Sequence, residues 1–442
     1  MRKILLATAF AALAATAAQA QMPNQPLVSD SFGLNGNGGD YPAPGTVTVR
    51  FRARVLTEYG YFTDSGQVGK GTNGKPNGSK DAGAYLGTEV RMYPGVDGTL
   101  ANGLKYGGAI EMRVTGGGTG GSTTNTPYIR RASLYVASPT YGRFIAGQAD
   151  GALTQLYNIS PIEYFDWIGS GNASPQIANS TTIPTWPFWE NGGAYINNKI
   201  VYLSPSFAGF DGGVSFEPTQ TTNDTNCGQA AATGCPTQTS VPNNSINVRR
   251  NTVELAARYK GSFGPVATNI QLGYVTSGKV QSSIATAVAG VAPATVKPLS
   301  VFDAGVTLSM AGFTVGGHYI GGAMNPAYNG GYGMKFSGQK DVQAFLVGAR
   351  YAWSTFSVGA NFQNQWSGGL YNAASPSNNN LLHETSIGTG GAWDWAPGAT
   401  AFVSAVYATR HQVGVDLLNA TPGAFNNSTQ ARWIVLGNVF RW

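Results

Sequence analysis

Apolar and polar side chains alternate with a strict period of two at residues 46 to 56. Val47, Val49, Phe51, Ala53 and Val55 share one face there, and Thr46, Thr48, Arg50, Arg52 and Arg54 the other. The pattern returns downstream: Ala84, Leu86, Val90 and Met92 oppose Tyr85, Glu89 and Arg91, and Leu104, Tyr106, Ile110, Met112 and Val114 oppose Lys105, Glu111 and Arg113. Further stretches of this kind lie at 128–137, 142–149, 196–204, 210–217, 248–259, 265–276, 300–310, 312–321, 340–352, 354–364, 382–394, 399–411 and 430–442. Together they predict sixteen strands, of roughly the 9 to 11 residues that cross a bilayer at a tilt.

The connections separate a membrane barrel from a soluble one. They are long at 57–81, medium at 94–103, long at 116–127, short at 138–141, very long at 150–195 and short at 205–209. Later, 218–247, 277–299, 322–339, 365–381 and 412–429 are long, while Lys260 to Gly264, Ala311 and Trp353 mark tight turns. Short turns at one end and long loops at the other are the organisation of an outer-membrane barrel, with both termini on the periplasmic side. The long segments are rich in Gly, Asn, Ser and Thr, as surface loops are.

Composition supports a lipid-facing exterior. Charged residues are 11% of the 442, aromatic residues another 11%, and there are 61 glycines, whereas an average soluble chain is roughly 25% charged. Apolar content is an ordinary 42%, and beyond the N-terminus no apolar run reaches the ~18 residues of a membrane helix. The net charge is +6, without any Lys/Arg run longer than two, so a nucleic-acid footprint is not supported.

Arg2 and Lys3, the apolar stretch Ile4 to Ala15, and Ala18-Gln19-Ala20 before Gln21 have the layout of a secretory signal peptide over residues 1–20. Its removal leaves 25 Lys/Arg against 21 Asp/Glu, or +4. Residues 21–45 form a Pro/Gly/Asn-rich lead, read as a periplasmic tail or a partial plug, before the barrel of 46–442. Cys227 and Cys235, the two cysteines, lie eight residues apart in a polar stretch of an exported chain, which predicts a local disulfide. A metal site is the competing reading, for which two cysteines with no nearby His offer too few ligands.

Three segments carry a family resemblance. Tyr141-Gly142-Arg143-Phe144-Ile145-Ala146-Gly147-Gln148-Ala149-Asp150 resembles the strand before the constriction loop of Gram-negative general porins. Asn197-Asn198-Lys199-Ile200-Val201-Tyr202-Leu203-Ser204-Pro205-Ser206-Phe207-Ala208-Gly209-Phe210 is similar to the segment that leaves that loop, and the chain ends on an alternating strand, Val439-Phe440-Arg441-Trp442. Porins end in an aromatic residue linked to barrel assembly, usually Phe, so Trp442 departs slightly, and Asn438 interrupts the apolar face formed by Ile434, Leu436 and Phe440.

The resemblance implies a homotrimer of sixteen-stranded antiparallel barrels in the outer membrane of a Gram-negative bacterium, each with its third external loop folded inward. It also implies contact with outer-membrane lipid and lipopolysaccharide, insertion by the barrel assembly machinery through Phe440 and Trp442, and passive diffusion of small hydrophilic solutes and ions without a cofactor. The corresponding loop, 150–195, supplies the acids Glu163, Asp166 and Glu190. The facing basic wall would comprise Arg50, Arg52, Arg54, Arg91, Arg113, Arg131 and Arg143, while Gln148 stands where many porins carry an Arg. Opposed charges across a narrow aqueous passage would filter ions; the bland alternative pairs these arginines with Glu89 or Glu111. Three inward arginines on one strand and few loop acids predict a weak anion preference.

Tyr164, Trp167, Trp186 and Trp189 in the loop would stack on sugars in a carbohydrate-selective channel, or simply pack as the loop's own core. A structural or adhesive barrel with a closed lumen is the third alternative. Tyr59, Tyr61, Tyr93, Tyr259, Tyr274 and Tyr351 suit an interfacial girdle. Nothing points to an enzyme: His318, His383 and His411 fall on separate strands, His383 beside Glu384 is the one pairing worth a look, and Gly116 to Gly121 matches a nucleotide-loop pattern without a following helix.

Overall fold

A computed structural model describes residues 42–66, 80–116, 127–156, 198–219, 250–278, 297–326, 333, 335–369, 381–417, 421–422 and 427–442. The strands are β1 (Val47–Gly66), β2 (Lys80–Thr99), β3 (Lys105–Gly116), β4 (Tyr128–Ser138), β5 (Gly142–Gln148), β6 (Asn198–Leu203), β7 (Phe210–Thr219) and β8 (Arg250–Phe263). The second half holds β9 (Val266–Thr276), β10 (Ser300–Met310), β11 (Phe313–Ala323), β12 (Val342–Trp353), β13 (Phe356–Ser367), β14 (Leu382–Ala396), β15 (Ala399–His411) and β16 (Ser428–Arg441). Each strand pairs antiparallel with its neighbours, and β1 with β16 closes the barrel. A small ladder between 415–416 and 421–422 stands apart from the wall.

All sixteen predicted strands are present, with three corrections. β1 and β2 run further than their first alternating stretches, so the connection expected at 57–81 shrinks to 67–79. Tyr59 and Tyr61 continue the outward face of β1, and Glu58 its inward face. The medium connection at 94–103 becomes a tight turn at 100–104, because β2 continues through Pro94 and three of its next residues are small or turn-prone. Trp353 closes β12, and the turn after it is Ser354–Thr355. Ala311 and Gly312, by contrast, do make their turn, both with positive φ (49° and 84°), the backbone of a two-residue hairpin that follows the twist of its strands.

Stepping from partner to partner round the wall from Val47 leads to Ser428, next to the Thr429 that pairs with Gly66. The sheet therefore closes with an offset of about 20 residues, which for sixteen strands sets a tilt of roughly 40° and a backbone radius of about 16 Å. An 11-residue strand then rises about 28 Å along the axis, close to the apolar thickness of a bilayer.

The two faces follow the alternation. Outward side chains include Leu86, Leu134, Phe313, Ile434 and Leu436, all exposed and apolar. At the short-turn end Tyr351, Trp353, Phe356 and Trp393 stack in succession, with centroids 5.5, 5.9 and 5.8 Å apart, forming part of an interfacial girdle. Tyr93 does not belong to it: it sits between Arg91 and Asp97 on the inward face, 7% exposed. Inside the barrel, Val275, Val301, Ile320, Val342 and Leu346 form an apolar patch on β9 to β12, in one cluster with Leu153 and Leu156 of α1 (Ala152–Leu156).

Candidate pore-lining site

Arg50, Arg52 and Arg54 alternate on β1 and point inward, about 7 Å apart along the strand. The register of the barrel brings carboxylates from β2 and β3 beside them. Arg50 pairs with Asp97, and Arg54 with Glu89. Glu89 also accepts from Arg91 at 2.7 Å and has Arg113 at 3.9 Å. Glu111 binds Arg113, Arg130 at 3.3 Å and Arg131 at 3.0 Å, and Arg131 reaches on to Asp150 at 3.0 Å. Arg143 lies 4.2 Å from the centre of the Tyr135 ring, whose hydroxyl donates to Asp97. The bland reading of the arginines is thus realised in part: Arg54, Arg91, Arg113 and Arg131 are members of one network around Glu89 and Glu111.

Arg130 is a residue that alternation misses. A bulge opposite Glu111 and Met112 lets two consecutive residues of β4 turn inward, so Arg130 and Arg131 both reach Glu111. The inner wall of β1 to β5 and the residues just after it then carry eight arginines (50, 52, 54, 91, 113, 130, 131 and 143) against five carboxylates (58, 89, 97, 111 and 150). The wall is paired and still positive.

The other side of the lumen holds the root of the 150–195 connection. Backbone N–H groups of Ala152 and Leu153 donate to Ser215 Oγ (3.2 Å) and Glu254 Oε2 (3.1 Å), and the carbonyls of Leu153 and Leu156 accept from Gln271 (3.3 Å) and Arg258 (3.0 Å). These partners all lie on the inner face of β7, β8 and β9, and Arg258 is itself held by Asp211 at 2.9 Å. A Cβ at Gly151 would strike the Glu254 carboxylate, so the chain approaches this wall as closely as glycine allows. Hydrogen bonds to a charged group contribute about 1.5–3 kcal/mol each. Glu254→Ala should therefore release the root of this connection, seen as added open-channel noise in single-channel records, with the noise of the wild type refuting the clamp.

Glu163, Asp166, Glu190, Tyr164, Trp167, Trp186 and Trp189 lie outside the described residues, as do Cys227, Cys235 and the segment 1–41. At the C-terminus, Trp442 exchanges backbone hydrogen bonds with Ala53 (3.1 and 3.0 Å), and Phe440 meets Trp395 edge-on at 5.7 Å. Asn438, which breaks the apolar face in sequence, accepts from the Trp395 indole at 3.3 Å in the periplasmic girdle, where water and lipid headgroups tolerate an amide. His383 faces outward and hydrogen-bonds Asn364 (2.9 Å), whereas Glu384 faces inward to Arg410 (2.6 Å), so the adjacent pair cannot act on one substrate.

A closed sixteen-stranded barrel with an apolar exterior and a charged inner wall defines a membrane channel. The family model of the Gram-negative porins matches residues 7–412, and the chain belongs to that family. It forms an outer-membrane channel for passive diffusion of solutes. No curated protein matches it in sequence. Among solved structures it is similar to OmpF of Salmonella typhi in complex with daunomycin, with a TM-score of 0.54 at 11% identity, covering 89% of this chain and 97% of that one. It is also similar to the outer-membrane channel DcaP of Acinetobacter baumannii (0.52, 14%, 91% and 99%) and to an anion-selective porin from Comamonas acidovorans (0.51, 14%, 90% and 100%).

Proposed function

We propose that the channel is a weakly anion-preferring, non-catalytic diffusion pore, narrowed where the 150–195 connection faces the basic wall of β1 to β5. The carrying observation is the excess of arginines over carboxylates on that wall. Water screens charge over roughly 8 to 10 Å, so the excess acts where the passage is narrow and fades where the barrel is wide. Glu163, Asp166 and Glu190 would supply the opposing charge, too few to reverse the sign. The structural neighbour named as an anion-selective porin accords with this reading. The test is the reversal potential of the reconstituted channel across a salt gradient: its sign should be that of anion selectivity, and a zero or cation-selective value refutes the proposal. Adding sugars in the same experiment addresses the loop aromatics, since a stacking track would block the current.

The working unit in this proposal is a homotrimer assembled through the barrel machinery that reads Phe440 and Trp442. Unheated protein should migrate in SDS as a band about three times the monomer mass and collapse to monomer on boiling; a monomer under both conditions refutes the trimer. Maturation would remove residues 1–20 and bond Cys227 to Cys235. Intact mass of the exported protein should place its start at Gln21 and show two protons lost to a disulfide, and two alkylatable thiols without prior reduction would contradict the bond. Its loss should cost little, because so short a loop constrains only itself.

A further inference from the structure

Alternation sends the charged side chains of the wall inward. Among the Lys, Arg, Asp and Glu side chains described in the sixteen strands, Arg432 alone stands on the outer face. It pairs across β16 with Thr63 of β1 and Tyr407 of β15, and its guanidinium lies 5.3 Å from the centre of the Tyr407 ring. A charge facing lipid is penalised least near the interface, and that is where Arg432 sits. The next outward positions towards the loops are polar, Thr409 and Gln430 and then His411 and Ser428. Those towards the turns are apolar, Ala405 and Ile434 and then Val403 and Leu436. Arg432 marks the border, about 10 Å below the loop end of β16 along the axis.

Directly beneath it the outer surface is hollowed. The small side chain of Ala405 leaves a groove of about 740 Å³ between Tyr61, Ile387, Tyr407 and Ile434, with Arg432 at its upper rim. An apolar groove capped by one cation, at the level of the external leaflet, matches an acyl chain continued by an anionic headgroup. A second copy of the chain fits less well. No carboxylate described in the wall faces outward, so the outer wall of another barrel offers Arg432 no counter-ion.

We propose that this face binds a phosphate-bearing, multiply acylated lipid of the external leaflet, with one acyl chain in the Ala405 groove and a phosphate on Arg432. The planar guanidinium, held over Tyr407, presents its edge donors to phosphate oxygens, and such charge-assisted bonds are stronger than neutral ones. Gln430, Thr409 and Ser428 extend the polar shelf on which the rest of the headgroup would rest.

The experiment uses the full-length folded protein in mild detergent, with bisphosphorylated hexa-acyl lipid A and its dephosphorylated form as probes and native mass spectrometry as readout. The wild type should retain the phosphorylated lipid about tenfold better. Arg432→Gln should remove that preference, Arg432→Lys should keep part of it, and Ala405→Trp should lower retention of both lipids by filling the groove. Channel selectivity, set inside the barrel, should stay at the wild-type value in all three. Equal retention of both lipids by the wild type overturns the proposal as mere acyl packing, and this comparison stands even if a variant fails to fold. A phosphate preference that survives Arg432→Gln places the headgroup elsewhere. Absence of lipid preference together with loss of oligomer in Arg432→Gln assigns the face to a contact between copies and overturns it as well.

Discussion

Replacing Glu111 with glutamine is expected to destabilise the folded barrel by about 3–5 kcal/mol, the usual cost of leaving buried charges without their partner. Glu111 is fully buried and is shared by Arg113, Arg130 and Arg131 on two adjacent strands. Glutamine keeps the volume and one acceptor but removes the charge that holds three guanidiniums within reach of one another. Asp150 can still hold Arg131, and Glu89 lies near Arg113, but Arg130 has no other carboxylate partner in the described network. The measurement is the urea midpoint of the refolded protein in detergent, which should fall. An unchanged midpoint would mean that the arginines are hydrated by lumen water and that the network contributes nothing. Where Glu111→Gln folds, its pore has lost a negative charge, so its anion preference should increase.

The second large effect has the opposite sign. Arg50→Ala combined with Arg52→Ala removes two positive charges from the inner wall and also uncovers Asp97, which Arg50 neutralises. The reversal potential in a salt gradient should move to cation preference, and conductance should rise with the lost side-chain volume. The structure supplies a control: Arg50→Ala with Asp97→Ala deletes a pair of opposite charges and should leave the potential near its wild-type value while still widening the passage. If the first double variant keeps the wild-type potential, β1 does not line the narrowest point. If both double variants shift it equally, the Asp97 pairing is not what sets the charge of this wall.

Alternation identified the inward direction of Arg50, Arg52, Arg54, Arg91, Arg113 and Arg143 because a strand allows only two directions for a side chain, and lipid tolerates only one kind. It failed at Arg130 and Tyr93 for different reasons. Arg130 is turned by a bulge, whose only trace in the sequence is two adjacent arginines in a strand. Tyr93 is a residue whose aromatic character suggests a girdle although its parity puts it beside Arg91 and Asp97.

Pairing partners were out of reach of the chain's own pattern. Which carboxylate meets which arginine depends on register, and the register of β1 to β5 follows from turn lengths and from the offset of about 20 residues with which the barrel closes. The same holds for Glu254, an unremarked strand acid until β8 curves round to meet the backbone of α1. Arg432 stands between the two cases: its outward parity is legible in sequence, but the groove beneath it exists only because Ala405, Ile434 and Tyr61 come from three strands that closure sets side by side.

The sequence by itself determined the number of strands, their faces, the inside-out distribution of charge and the end of the barrel that carries long loops. These are one-dimensional consequences of a period of two and of the cost of exposing charge to lipid. The tertiary structure decided the ion pairs, the bulge that doubles the arginines of β4, the clamp on α1 and the lipid-facing groove. Each of these joins residues that neighbour one another only after sixteen tilted strands have closed into a ring, and no local preference of the chain encodes that distance.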